Sequence, residues 1–402
     1  MSTLNLLVLI LATMAWIYGA SYQLQKRLSN LSVLVVDFDQ GAIGQAVSTT
    51  ARSFTGKETV SMGTRHIDAF SSVESINRAV CQADFWAAVY INPGASENLA
   101  SVLNGSSSDQ DVTNAVTFVY NQARFPVVAD SYLFSNLQAL IDASIPTFWQ
   151  SPAGIEALQH IDVSKTASAS AYLNPIRTSI DHLRTMPQST RALYNTFNIV
   201  IPPLSQFFLI LALNGIGMTS GFLATGGFRT VWMFRFITGK VYGLFCGLVM
   251  TGCMWAYKED WGVDGTDFVE TWLTTWFAMD VNWQVMESII GSFLPMTYTP
   301  FFVLPWIVTN IASTLWPVEL MPVFYRVNYA LPMRATYLLL IRVWSGCGGE
   351  LQISLPVMFA WWVGGHYTAV LSIRKRCHDA AKVVRGDVGS EQTTPNESDD
   401  SI

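Results

Sequence analysis

The chain has 402 residues, half of them hydrophobic and only 13% charged, with a formal net charge of −6 at pH 7 and a mean hydropathy of +0.31. Soluble globular chains carry about 25% charged residues, so this composition argues against a soluble domain and for a membrane protein. The negative balance gives no sign of nucleic-acid binding.

In chain order, Leu4–Tyr18, "LNLLVLILATMAWIY", is a short span uninterrupted by charge. The small residues of "YGASY" would suit signal cleavage, but the basic n-region is missing and Lys26-Arg27 lie beyond the span. An uncleaved anchor is therefore expected, and either reading sends the next segment out of the cytosol. From Leu31 to about Ser164 the pattern alternates. "LSVLVVDF", "ETVSM", "FWAAVYINP" and "AVTFVYNQAR" read as short buried strands. "AIGQAVSTTARSF", "SSVESINRAVCQAD" and "ASENLASVLNG" read as helices between them. Strands separated by such helices predict a small α/β domain with a mainly parallel sheet. A helical stretch from Val127 to about Ile161, interrupted at Pro146 and Pro152, is expected to return the chain to the membrane. Asn30 and Asn104 stand in glycosylation sequons, Asn104 being the more credible because Asn30 sits close to the bilayer. Cys81 and Cys347 share the oxidising side, where pairing is an open alternative; the five cysteines show no metal-ligand spacing.

The run Leu31–Gly44, "LSVLVVDFDQGAIG", delivers Asp37 and Asp39 at the end of a buried strand. A dehalogenase-type phosphatase places a nucleophilic aspartate there, but it also needs a downstream Ser/Thr, a Lys and an acidic pair for Mg²⁺. The outer segment lacks that set. Asp39-Gln40-Gly41 is therefore expected to form a strand-to-helix turn, with Asp39 or a neighbour capping the helix.

Five further spans follow at Thr196–Ile216, Phe236–Tyr257, Phe268–Ile290, Phe293–Trp316 and Leu355–Ser372. Arg229, Arg235 and Lys240 precede or enter the third span, and "IRKRCHDAAKVVR" follows the last; six spans put both clusters in the cytosol. The expected fold is a multi-pass α-helical membrane protein of about six spans, with an extracytoplasmic α/β domain inserted between the first and second. The expected divisions are an anchor at 1–20, the α/β domain and return helix at 21–191, a five-span bundle at 192–373, and a basic, then acidic, disordered cytosolic tail at 374–402. Within the bundle, 317–352 is expected to be a re-entrant or interfacial segment.

No Walker A, HExxH, GxSxG or Cys/His arrangement is present, so no catalytic residue, metal or cofactor is expected. "NGIGMTSGF" reads as a tight cytosolic turn, and His366 as a lone residue that packs or hydrogen-bonds in the bundle. What remains is polar residues at membrane depth. Asp280 and Glu287 are seven apart and share one helical face. With Asn282 and Gln206 they form a candidate polar path, because charge inside a bilayer usually faces a cavity or a partner. For Glu287 the blander expectation is that it lies near the cytosolic end and reaches water. Pro202-Pro203, beside Ser205 and Gln206, predicts a kink that could shape a cavity.

The blocks "IYGASYQLQKRLSNLSVLVVDFDQGAIGQAV", "FWAAVYINPGAS", "FVYNQAR" and "IVTNIASTLWPVELMPVFYRVNYALPM" together resemble the fungal nitrosoguanidine-resistance membrane protein family, in the same order and over nearly the whole chain apart from the tail. More distantly, one span, an outer domain and five spans resemble the phage-infection-protein group and the membrane subunits of type-2 ABC exporters. The resemblance departs at the start, where relatives carry a longer, charged lead, which leaves the N-terminus open to truncation. It implies efflux of, or resistance to, toxic compounds, or a role in membrane lipid homeostasis, without an ATPase of its own. The alternatives are a non-transporting scaffold or regulator, or an accessory protein of a secondary-metabolite pathway. The expected partners are membrane lipids, small toxic compounds or metabolites, and a second copy of the chain.

Overall fold

The computed structural model describes residues 3–391 apart from 55, 57, 66, 107–113, 163 and 349. The architecture is mostly helical, and it divides into a mixed α/β head and a helix bundle.

Helix α1 (Thr3–Ser21) leaves most of its apolar side chains exposed, as a helix facing lipid does. It leads into the head through a 3₁₀ turn at Leu24–Asn30. The head sheet has five strands: β1 (Ser32–Asp37), β2 (Ser61–Arg65), β3 (Ala87–Ile91), β4 (Val116–Tyr120) and β5 (Thr178–His182), in the order β2-β1-β3-β4-β5. All neighbours pair in parallel except β3 and β4. The period-2 rule of a strand sorts β1 cleanly. Val33 and Val35 join the core under α2 (Ala42–Ser53), while Leu34 and Val36 join the core under α3 (Val73–Cys81). Helix α4 (Ala95–Leu103) follows β3. Strand β5 was not expected: "TSIDH" is a half-exposed edge whose one aliphatic residue, Ile180, faces outward.

Two expectations for the stretch after β4 are corrected. Helix α5 (Phe134–Trp149) runs straight through Pro146. The break falls at 150–151, where Ser151 Oγ accepts from Gly154 N at 3.1 Å and opens α6 (Pro152–Gln159), with Pro152 in the first turn. Nor does this stretch return the chain to the membrane. Its buried residues Leu137, Leu140 and Ile141 belong to the head core, and the chain passes through α7 (Thr166–Leu173) and β5 before it leaves the head.

The bundle comprises α8 (Phe197–Thr219), α9 (Phe228–Ala256), α10 (Gly265–Ile289), α11 (Pro300–Leu315), α12 (Pro332–Ser345) and α13 (Leu351–Glu391). Among the described residues three helices, α1, α8 and α9, are long and apolar enough to cross a membrane, and α11 is a shorter apolar helix. That composition is the one expected of a multi-pass helical membrane protein. Helix α10 misses the threshold for a physical reason: it is the centre of the bundle. Every residue from Ala278 to Ser288 is buried, with α8, α9, α12 and α13 packed around it. A helix that meets protein on all sides does not have to be greasy. Its start is well marked, since Asp264 accepts from Thr266 N and Asp267 N in a capping box.

Gly239, Gly243 and Gly247 of α9 form a stripe against this central helix. A β-carbon on Gly243 would stand 3.4 Å from Trp276, and one on Gly239 would collide with Trp283. The absent side chains let Trp272 and Trp276 donate to the α9 carbonyls of Leu244 and Lys240 at 2.8 and 3.1 Å.

Helix α8 stays continuous through Pro202 and Pro203, so the expected kink does not interrupt it; the two prolines line a narrow cavity with Asn198, Thr275 and Asn282. The segment 317–352 is folded onto both regions. Its helix α12 packs among α10, α11 and α13, and Tyr337, Leu340, Ile341 and Trp344 complete the core of the head. The two regions therefore share one packed junction. Helix α13 continues to Glu391, so residues 374–391 of the expected disordered tail are helical; the remaining tail, 392–402, lies outside the described residues.

Candidate functional site

The head carboxylates come first. Strands β1 and β3 end side by side, and the chain leaves them in opposite directions, toward β2 and toward β4. Such a switch point is where open α/β sheets bind ligands. Here Asp39 fills it. Its Oδ1 accepts from Ser96 N at 3.0 Å, and its Oδ2 accepts from Gly41 N at 3.2 Å and from Ser96 Oγ. One carboxylate thus serves the starts of α2 and α4, where helix N–H groups lack intrahelical partners. Asp37 Oδ1 accepts from Asp39 N and Gln40 N at 3.0 and 2.9 Å. Burial pushes the Asp37 carboxyl above its usual range, against the pull of the Gln40 N–H. The pair closes a turn, as its spacing predicts.

In the bundle, α10 presents its two buried acids, Asp280 and Glu287, to cations on α9 and α13. Glu287 is 1% exposed and ion-paired with Arg235 and Arg376, which are 2% and 5% exposed. Arg235 Nη2 donates to Glu287 Oε2 at 2.9 Å. Asn214 Oδ1 accepts from Arg235 Nη2 and from Arg376 Nη1, each at 2.8 Å, and Ser372 Oγ donates to the Glu287 carbonyl at 2.7 Å. The expectation that Glu287 reaches water is therefore corrected. It is the sealed centre of a clamp that joins α8, α9, α10 and α13.

Asp280 lies seven residues back, about 10 Å along the axis. Its Oδ2 is ion-paired with Lys240 and accepts from Trp362 Nε1 at 2.7 Å, and Gln284 Nε2 donates to Oδ1 at 3.3 Å. His366 Nε2 stands 3.8 Å from Oδ2 and 3.2 Å from Lys240 Nζ, while its Nδ1 lies 2.7 Å from the Trp362 carbonyl. His366 is thus not lone. Lys240 and His366 keep 21% and 22% of their side chains exposed, against 5% for Asp280. This cluster is a buried carboxylate with an open side.

The four residues of the predicted path do not line one route. Asn282 Oδ1 accepts from Trp306 Nε1 at 2.8 Å, on the α11 side. Gln206 Nε2 donates to the Met279 carbonyl at 2.7 Å, from α8. The missed partners Arg235, Lys240 and Arg376 read in sequence as flanking topology charges. The available signal was order: Arg235 then Lys240 on one helix, Asp280 then Glu287 on the next, which an antiparallel pair brings into register.

Elsewhere, Cys81 and Cys347 form a disulfide that ties α3 to the loop after α12. Asn104 is exposed at the end of α4. Asn30 is exposed too, but its Nδ2, the atom a glycan would occupy, donates to the Glu319 carbonyl at 2.8 Å. Among the described residues no group of three His, Cys, Asp or Glu could hold a metal ion.

No curated protein and no solved structure matches this chain. A family model does, that of a protein of unknown function, DUF3533, over residues 2–366, and it is consistent with the nitrosoguanidine-resistance resemblance. The match takes in α1, the whole head and the bundle as far as His366, and the chain belongs to the DUF3533 family.

Proposed function

We propose that the chain is a six-span membrane protein with its head on the non-cytoplasmic face, which moves toxic amphiphiles or lipids without an ATPase of its own. The observation that carries this reading is the Lys240–Asp280–His366 cluster. It sets a buried carboxylate, near the middle of the central helix, beside an ammonium and an imidazole that keep about one-fifth of their side chains exposed. A charge at that depth is costly, by about 2.5 kcal/mol or more, and is kept where it serves a path. Orientation is supported by exposed Arg229, Arg374, Lys375 and Lys382 at the cytosolic ends of α9 and α13. It is supported also by the Cys81–Cys347 disulfide, which an oxidising compartment favours. In this arrangement α10 crosses as a polar helix shielded by its neighbours.

The test is purified full-length protein in proteoliposomes under an imposed pH gradient, with a fluorescent lipophilic cation and a fluorescent phospholipid as probes. Gradient-dependent movement of either probe is expected. Movement of neither would overturn the proposal and leave the scaffold or regulator reading.

A further inference from the structure

Where the head meets the bundle, behind the Cys81–Cys347 disulfide, lies a narrow cavity of about 20 Å³ whose walls include Asn121, Arg124, Arg342, Glu350 and Ser354. Two buried donors facing it have no partner: Arg124 Nη1 and Ser354 Oγ, with Ser354 only 1% exposed. An orphaned buried donor costs about 1–3 kcal/mol, more when it is charged, so two around one space call for an acceptor.

Among the described residues neither donor meets an acceptor. The guanidinium of Arg124 lies over the Trp86 ring at 3.6 Å, a contact that engages its face and none of its N–H groups. The Glu350 carboxylate accepts from Arg334 Nη2 at 2.7 Å, and the Gly348 carbonyl accepts from Arg342 Nη1 at 3.2 Å. The Asn121 side chain is already used, its Nδ2 donating to Ser345 Oγ and its Oδ1 accepting from Ala123 N, each at 3.0 Å. Helix α13 starts at Leu351, another wall residue, and the positive end of its dipole lies on this side. Burial pulls the Arg124 guanidinium below its usual pKa, with Glu319 and Glu350 opposing that pull and Arg334 adding to it. The space is small, which favours a monatomic ion over phosphate, sulfate and carboxylates.

We infer that this junction binds a single halide-sized anion, chloride being the abundant one, held between Arg124 Nη1 and Ser354 Oγ. The ion joins the turn after β4 to the first turn of α13, and so fastens the head to the bundle. This inference does not depend on what the bundle moves.

The experiment compares unfolding midpoints of the purified full-length protein in sodium chloride and sodium gluconate at equal ionic strength. Anomalous scattering from crystals grown in bromide accompanies it. A binding ion raises the midpoint in proportion to ln(1 + [ion]/Kd), by about 3 °C at tenfold saturation. The chloride midpoint is expected to exceed the gluconate midpoint by that amount, saturably, and the difference is expected to vanish in Ser354→Ala and Arg124→Gln. A bromide peak between the two side chains is expected as well. Equal midpoints in the two salts, a difference that survives Ser354→Ala, or a water without anomalous signal in the cavity would each overturn the inference.

Discussion

The head holds a pair of half-buried carboxylates and the bundle a pair of buried ones, and the two regions neutralise them by different means. In the head, Asp37 and Asp39 are met by backbone N–H groups of a turn and of two helix starts. A sheet with helices offers such groups wherever a helix begins. In the bundle, α10 runs for 25 residues without a break, so its interior N–H groups are all engaged along the helix. Asp280 and Glu287 must then be met by side chains from other helices. Within the bundle the two sites also differ: the Glu287 clamp is closed on every side, whereas the partners of Asp280 remain about one-fifth exposed. Local amides and a sealed clamp enclose their carboxylates, whereas the Asp280 cluster keeps an open side.

That contrast can be broken or sharpened by substitution. The largest effect belongs to the clamp. Glu287→Gln leaves Arg235 and Arg376 buried without a counter-charge, at a cost of about 3–5 kcal/mol, and is expected to abolish monodisperse protein in size-exclusion chromatography. Removing the link between the regions, with Cys81→Ser and Cys347→Ser together, is expected to cost about 2–4 kcal/mol, read as a lower unfolding midpoint. In the head, Asp39→Asn turns an amide donor toward donors at two helix starts. It should cost about 1–3 kcal/mol and raise protease sensitivity in the head while the bundle stays intact.

The smallest effect is at Asp37. Because burial raises its folded pKa, its contribution to stability is fully present below the unfolded carboxylate value near 3.9. That contribution is lost as pH rises through the folded value. Asp37→Asn, which keeps the Oδ1 acceptor for both amides, should match the parent at pH 4 and exceed it slightly at pH 7. Midpoints measured across that range check the sign.

Much of the head was legible because its determinants are local. The β-branched runs gave four strands, and Asp39-Gln40-Gly41 gave the turn. Strand β5 was not legible, since a polar edge strand of five residues has no apolar period to read. In the bundle, apolar runs located most of the helices, but the rank of α10 was hidden. Its Asp280, Asn282 and Glu287 read as a polar path within a span, when they mark a helix enclosed by its neighbours. The ion pairs were illegible for the same reason. Arg235 and Arg376 sit in basic clusters whose sequence is that of a solvated flank, and only the packing of α9 and α13 against α10 turns them inward.

The account turns on Asp280 as the working carboxylate of the bundle, with Glu287 as its structural counterpart. The direct measurement is gradient-driven probe movement by Asp280→Asn proteoliposomes, compared with the parent at equal amounts of folded protein. Lys240 keeps about one-fifth of its side chain exposed, so the cost of leaving it unpaired is expected to stay below that of unpairing the sealed Glu287 clamp. Loss of movement by protein that remains folded is the predicted result. Undiminished movement by Asp280→Asn would contradict the account.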